Sequence, residues 1–250
     1  MICKLCLEDK LLIKKSHIIP NFMYRGLFDA KHKLNYVNFL NPNLITPISD
    51  GLYDENILCA KCDNEILGKI ETYVSIMIYG GNPGKNKISE FKKTKNTDGL
   101  VSVHINNIDY LKTKLFLLSI LWRSHISKHP FFQEIDLGPH AEKLRKMIIH
   151  DDAGHEHQYE SAIAILKQNP SRPYKSIVRP KRLKLDLNTI HVFYINGLMY
   201  HFNISPINKL SIFEKGKVCK DNSMKIALLE GDYADGYFDQ YLGKNIFSKK

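Results

Sequence analysis

Two cysteine couples, Cys3-x-x-Cys6 and Cys59-x-x-Cys62, stand on either side of the segment Lys15-Ser16-His17-Ile18-Ile19-Pro20. A zinc ion takes four thiolates in a tetrahedron, and each short hook offers two of them without distorting its backbone. The four cysteines are therefore expected to share one structural zinc. Cys6 and Cys59 lie much further apart than the hooks of an ordinary finger, so the chain between them must carry structure of its own. Between the hooks lies His17, whose residue type can take a proton from water, and the helix that follows Cys62 can present a metal-binding side chain. An imidazole beside oxygen ligands for a divalent cation is the equipment for hydrolysing a phosphodiester. The competing reading makes His17 a buried or zinc-proximal residue of a finger that does not cut.

The chain has 250 residues and 28.9 kDa, with 44% hydrophobic and 25% charged residues, enough to bury a core of ordinary soluble type. It has no apolar run of membrane-spanning length and no signal-peptide pattern, so a cytoplasmic protein is expected. In that reducing compartment paired cysteines serve as metal ligands rather than disulfides, and Cys219, left over, is expected to be a small buried residue. Lys and Arg number 36 against 26 Asp and Glu, a formal charge of +10. Such an excess favours a polyanionic partner, because binding phosphates releases their counterions.

Several elements must position these groups. Lys10 to Lys15 and Leu52 to Leu58 read as two strands leading from the first hook and into the second, with Asp50-Gly51 as a turn. The stretch from Asn21 to Pro47 reads as an irregular insertion. After Cys62, Ile66, Ile70, Tyr73, Val74 and Met77 follow a helical period ended by Gly80-Gly81. Residues 84–98, with Lys85, Lys87, Lys92, Lys93 and Lys95, read as a polar linker or a phosphate-contacting arm. A long helix is predicted from an Asp109 N-cap to about His129, stopped by Pro130 and burying Leu111, Leu115, Leu118, Trp122 and Ile126. Further helices are predicted from Pro139 and over Tyr159 to Leu166. Asn196-Gly197 between Thr189 to Ile195 and Leu198 to Ile204 predicts a tight hairpin, and Leu210 to Phe213 and Met224 to Glu230 read as added strands.

The segments Cys3-Lys4-Leu5-Cys6, Ser16-His17-Ile18-Ile19-Pro20 and Leu58-Cys59-Ala60-Lys61-Cys62-Asp63-Asn64 resemble the HNH, or ββα-metal, endonuclease family over about residues 1 to 80. The resemblance implies that His17 is the general base and that Asn64 holds a catalytic Mg²⁺ or Mn²⁺. Cys3, Cys6, Cys59 and Cys62 would hold a structural zinc away from the substrate. Two positions depart from the family pattern: Ser16 stands where an Asp or His ligand is usual, and Asp63 where a His is usual. Asp63, a hard carboxylate, would regain the oxygen ligand lost at Ser16. Asn56 could match the family's structural Asn. Lys14, Lys15, Arg25 and Lys61 are the expected nucleic-acid contacts.

The expected architecture is α+β: a zinc-stapled HNH-like ββα module with an insertion (1–83), a linker and helical subdomain (84–170), and a small antiparallel sheet (171–250). The expected function is metal-dependent cleavage of nucleic acid, with DNA as the expected substrate and restriction or phage defence as a setting that the resemblance suggests. The alternative is a catalytically degenerate zinc module binding nucleic acid or a partner protein, and the C-terminal half could dock a partner subunit. Glu55, Glu65 and Glu71 read as surface or helix-pairing residues, and His150, Asp151, Asp152, His155 and His157 as a solvated turn. Arg172, Arg179, Lys181, Arg182 and Lys184 read either as solvated charge or as a phosphate-binding ridge.

Overall fold

A computed structural model of the chain describes residues 1–29, 31, 33–37, 45–48, 50–79, 90–95, 101–167, 176–205 and 210–243. Strands β1 (Ser16–His17) and β4 (Tyr53–Asp54) form a two-stranded ribbon, with Ser16 opposite Asp54 and His17 opposite Tyr53. The remaining strands are β2 (Leu34–Val37), β3 (Ile45–Ile48), β5 (Glu90–Lys95), β6 (Val101–Asn106) and β7 (Ser161–Leu166). They are followed by β8 (Ile177–Leu185), β9 (Asn188–Ile195), β10 (Leu198–Asn203), β11 (Val218–Cys219) and β12 (Ser223–Leu229). The helices are α1 (Gly68–Tyr79), α2 (Tyr110–Ile126), α3 (His140–Ile149), α4 (Ser211–Gly216) and α5 (Gly231–Leu242).

The fold is α+β, built on one ten-stranded sheet in the order β3-β2-β8-β9-β10-β7-β12-β6-β5, with β11 paired to β12. Its ladders are antiparallel except where β2 meets β8 and where β12 meets β7. The sheet is therefore large rather than small, and it takes strands from all three expected segments. The stretch predicted as an irregular insertion supplies β2 and β3, and the helical subdomain contributes β5, β6 and β7.

Strand alternation divides the sheet into two apolar faces. Ile177, Phe193, Ile195, Tyr200 and Phe202 face a core shared with α1, α2 and α3. Val178, Ile190, Val192, Tyr194 and Met199 face a second core closed by α5. Helix α2 begins where expected, the Asp109 carboxylate accepting from the Lys112 N–H at 3.0 Å. It is buried continuously from Thr113 to Ser124 rather than along one stripe, because α1, α3 and the sheet surround it. It ends at Ile126, before a short 3-10 turn at Pro130–Phe132. The hairpin forms as predicted: Asn196 (φ 53°) and Gly197 (φ 81°) both take the positive angles of a tight turn.

Five local expectations are corrected. Lys10 to Lys15 is not a strand: the pairing there is a single bridge, Leu12 with Cys59, and regular pairing begins only at Ser16. Only Tyr53–Asp54 of the Leu52 to Leu58 stretch is a strand, since Asn56 (φ 55°) turns the chain toward the second hook. Ser161–Leu166 is strand β7 rather than helix, held between β10 and β12. Ser211–Gly216 is helix rather than strand. Gly80-Gly81, Lys85, Lys87 and Arg172 lie outside the described residues, and Lys92, Lys93 and Lys95 fall in β5 rather than a linker.

Candidate metal centre and active site

The first hook is a tight turn in which Leu7 N–H bonds the Cys3 carbonyl at 2.9 Å, with Leu7 itself at φ 61°. The second hook opens a helix: the segment Lys61–Leu67 is π-helical and leads directly into α1. Backbone bonds join the two hooks, from Lys4 N–H to the Ile57 carbonyl and from Ile13 N–H to the Leu58 carbonyl, both 2.9 Å. The four sulfurs, from Cys3, Cys6, Cys59 and Cys62, lie within 4.8 Å of one another. Tetrahedral thiolates at a zinc–sulfur distance of about 2.3 Å stand roughly 3.8 Å apart, so the set is sized to hold a metal ion such as zinc.

The electrostatics agree with that fit. Burial raises the thiols of Cys62 and Cys6. Burial also raises Cys3, but backbone N–H groups of Cys6, Cys59 and Leu5 outweigh it and bring that thiol down to about 7. One of those donors is the Cys59 N–H, 3.3 Å from the Cys3 sulfur. Without a cation the Cys3 thiolate forms readily while those of Cys6 and Cys62 are disfavoured, and a divalent ion would stabilise them.

Ribbon β1–β4 carries the next layer. Ser16 is fully buried, and its hydroxyl donates to the Asp63 carboxylate at 2.5 Å. The two positions that depart from the HNH pattern thus meet each other directly. His17 follows, and its Nε2 lies 2.9 Å from the Asp50 carbonyl oxygen. A carbonyl only accepts, so Nε2 carries the proton and the neutral ring leaves Nδ1 as a lone-pair acceptor. Among the described residues Nδ1 makes no hydrogen bond. The ring also meets Tyr53 edge-on, with centroids 6.3 Å apart.

The turn that brings the Asp50 carbonyl to His17 is held by Tyr24, whose hydroxyl accepts from the Leu52 N–H at 2.9 Å. At Gly51 (φ 74°) a Cβ would come within 2.6 Å of the Tyr24 ring, so this turn requires glycine. From the other side, Arg123 of α2, 2% exposed, donates to the His17 carbonyl at 2.8 Å and pairs with Glu71 of α1 at 2.7 Å. Arg145 of α3 donates to the Leu5 carbonyl at 2.5 Å. The helices therefore hold both the hook and the histidine by buried or half-buried guanidinium groups.

Asn64 is exposed on the first turn after Cys62, next to Asp63. Lys14, Lys61 and Arg25 are exposed, and the Arg25 carbonyl accepts from the Asn196 side chain at 3.0 Å, tying this module to the β9–β10 hairpin. Lys15 is paired with Asp50 at 2.5 Å and lies 4.8 Å over the Tyr53 ring. Elsewhere, Lys181, Arg182 and Lys184 lie on β8 beside Arg179, which is buried at 4% exposure rather than solvated. His157 pairs with Glu160 and Glu156, and Cys219 is half-buried. The residues that sequence reasoning missed are Arg123, Arg145 and the Asp50 carbonyl. The Asp50-Gly51 turn was visible, but its pairing with His17 had no local signal.

The molecule is thus an α+β protein with a four-cysteine site able to hold a metal ion. No family model, curated protein or solved structure matches this chain. Among the described residues no helix is long and apolar enough to cross a membrane.

Proposed function

We propose that this protein is a metal-dependent endonuclease of HNH type, with DNA as its substrate, a zinc held by Cys3, Cys6, Cys59 and Cys62, and His17 as general base. The observation that carries this reading is the bond from His17 Nε2 to the Asp50 carbonyl, which makes Nδ1 the acceptor nitrogen of the neutral ring. Nδ1 would take a proton from water as the water oxygen forms its bond to phosphorus and the bond to the leaving oxygen breaks. That oxygen would then take its proton from solvent. The Asp63 carboxylate and the Asn64 amide, neighbours in the chain, would supply oxygen donors suited to Mg²⁺ or Mn²⁺, with the Ser16 hydroxyl bonded to Asp63. When bound, such an ion supplies charge neutralisation at the phosphate. Lys14, Lys61 and Arg25 would contact neighbouring phosphates, with Lys15 joining them if Asp50 releases it.

One observation favours a second reading. The Ser16 hydroxyl bonds Asp63 directly, a contact that occupies one carboxylate oxygen without a cation and suits a module that binds nucleic acid without cutting it. The discriminating experiment incubates supercoiled plasmid with Mg²⁺ or Mn²⁺ and either the natural protein or His17→Ala. Nicking that falls about 10²-fold or more in the variant, with zinc content and melting temperature unchanged, supports the enzyme. Salt-sensitive DNA retention without cleavage, equal in both proteins, supports the binding module.

A further inference from the structure

We propose that the cavity between α5, α4 and the sheet is a binding site for an uncharged planar heterocycle of the nucleobase kind. The proposal is independent of the His17 reading, since α5 packs on the face of the sheet opposite α2.

The cavity is built by sequence. Ala162 and Ala164 of β7, Ala227 of β12 and Gly216 of α4 put small residues where the rest of this face carries large ones, leaving about 240 Å³ of open space. Pockets for drug-sized ligands run from about 300 Å³ upward, so this one suits one ring or a fused pair. Its outer wall is a stripe of tyrosines at helical spacing on α5, Tyr233, Tyr237 and Tyr241, with Gln240 at the mouth. Tyr237 and Tyr241 have ring centroids 4.8 Å apart, and Tyr241 meets the His201 ring edge-on at 4.9 Å. Aromatic walls of this kind favour a flat ligand, as base stacking on tyrosine does in nucleic-acid proteins.

Among the described residues, no Asp, Glu, Lys or Arg lines the cavity. His201, fully buried in its floor, stays neutral, because burial pushes its imidazole down to about 3. A charged ligand would lose its hydration and find no counter-charge among these described residues, which favours an uncharged ligand. Polar groups nevertheless converge there. His201 Nε2 lies 3.3 Å from the Tyr237 hydroxyl, a pair that can present either a donor or an acceptor. A heterocycle bearing both donors and acceptors on its edge would meet the Tyr237 hydroxyl and the Gln240 amide.

Isothermal titration of the full chain without added divalent cation tests the site in two arms. The first uses the four nucleosides with ribose as control, and the second uses single-stranded DNA against a fully abasic strand of equal length. A nucleoside binding below about 1 mM, with ribose silent, identifies a free base as ligand; preference for the base-bearing strand alone identifies an unpaired base within a strand. In either case Ala164→Leu, which fills the cavity, weakens binding at least tenfold. Gln240→Ala, at an exposed position where folding is not at stake, weakens it at least threefold. Absence of nucleoside binding together with equal binding of both strands overturns the proposal. So does binding that Gln240→Ala and Tyr237→Phe both leave unchanged.

Discussion

The Ser16 hydroxyl donates to the Asp63 carboxylate across 2.5 Å, linking the strand that carries His17 to the helix that carries the second cysteine hook. Two residues far apart in sequence, each unusual for its position in an HNH-like pattern, are partners in space.

Replacing one partner reveals what the pair stands in for. Ser16→Asp places two carboxylates in contact at a fully buried position, and like charges there cannot both ionise without a cation between them. The variant is expected to melt below the natural protein in chelator and to regain stability with Mn²⁺. Its Mn²⁺ affinity, read by titration calorimetry, should rise at least about tenfold. A melting point indifferent to Mn²⁺ would show that the oxygen cluster does not take a divalent ion.

Elemental analysis of the purified protein should find one zinc per chain. Cys62→Ala leaves three thiols for one ion, and a loss of at least about 3 kcal/mol is expected, or roughly 6–12 °C in melting temperature for a chain of this size. An equally stable Cys62→Ala protein that retains no metal would remove the structural role of the site.

Arg123 is expected to be the most sensitive residue outside the site itself. Arg123→Met leaves the Glu71 carboxylate and the His17 carbonyl without their buried donor, at a cost of about 3 kcal/mol. Urea unfolding measures this. Arg123→Lys should recover little, because one ammonium cannot reproduce a guanidinium that reaches His17, Glu71 and Ser119 together.

Two buried histidines should make the protein sensitive to acid. Burial, with Arg182 nearby, holds the His191 imidazole down to about 4, and burial holds His201 at about 3, against an ordinary value of 6.5. In the unfolded chain both bind protons as pH falls through 6.5, while in the folded chain they do not. The stability from these neutral rings is therefore full above pH 6.5 and is lost progressively as pH falls toward their folded values. Each should contribute a loss of about 2 kcal/mol between pH 7 and pH 5. Urea midpoints across that interval should fall less steeply in His191→Phe, and an unchanged slope would contradict the assignment.

What the sequence determined lies within a few residues of its signal. Each C-x-x-C hook specifies two neighbouring thiol ligands because covalent spacing alone brings that pair together, whereas the fold joins the two hooks. Asn196-Gly197 specifies its hairpin because few residues tolerate successive positive φ angles. Asp109 specifies the start of α2 because its carboxylate reaches the Lys112 N–H three residues on.

The tertiary structure decided whatever depended on distant neighbours. Ser161–Leu166 is a short apolar run that suits either helix or strand, and its placement between β10 and β12 made it a strand. The insertion between the hooks became two sheet strands only through pairing with β8. The tautomer of His17, the contact of Ser16 with Asp63 and the grip of Arg123 join elements that no local pattern relates. Side-chain contacts of that kind depend on how separate elements pack, and packing is a property of the whole core rather than of any stretch within it.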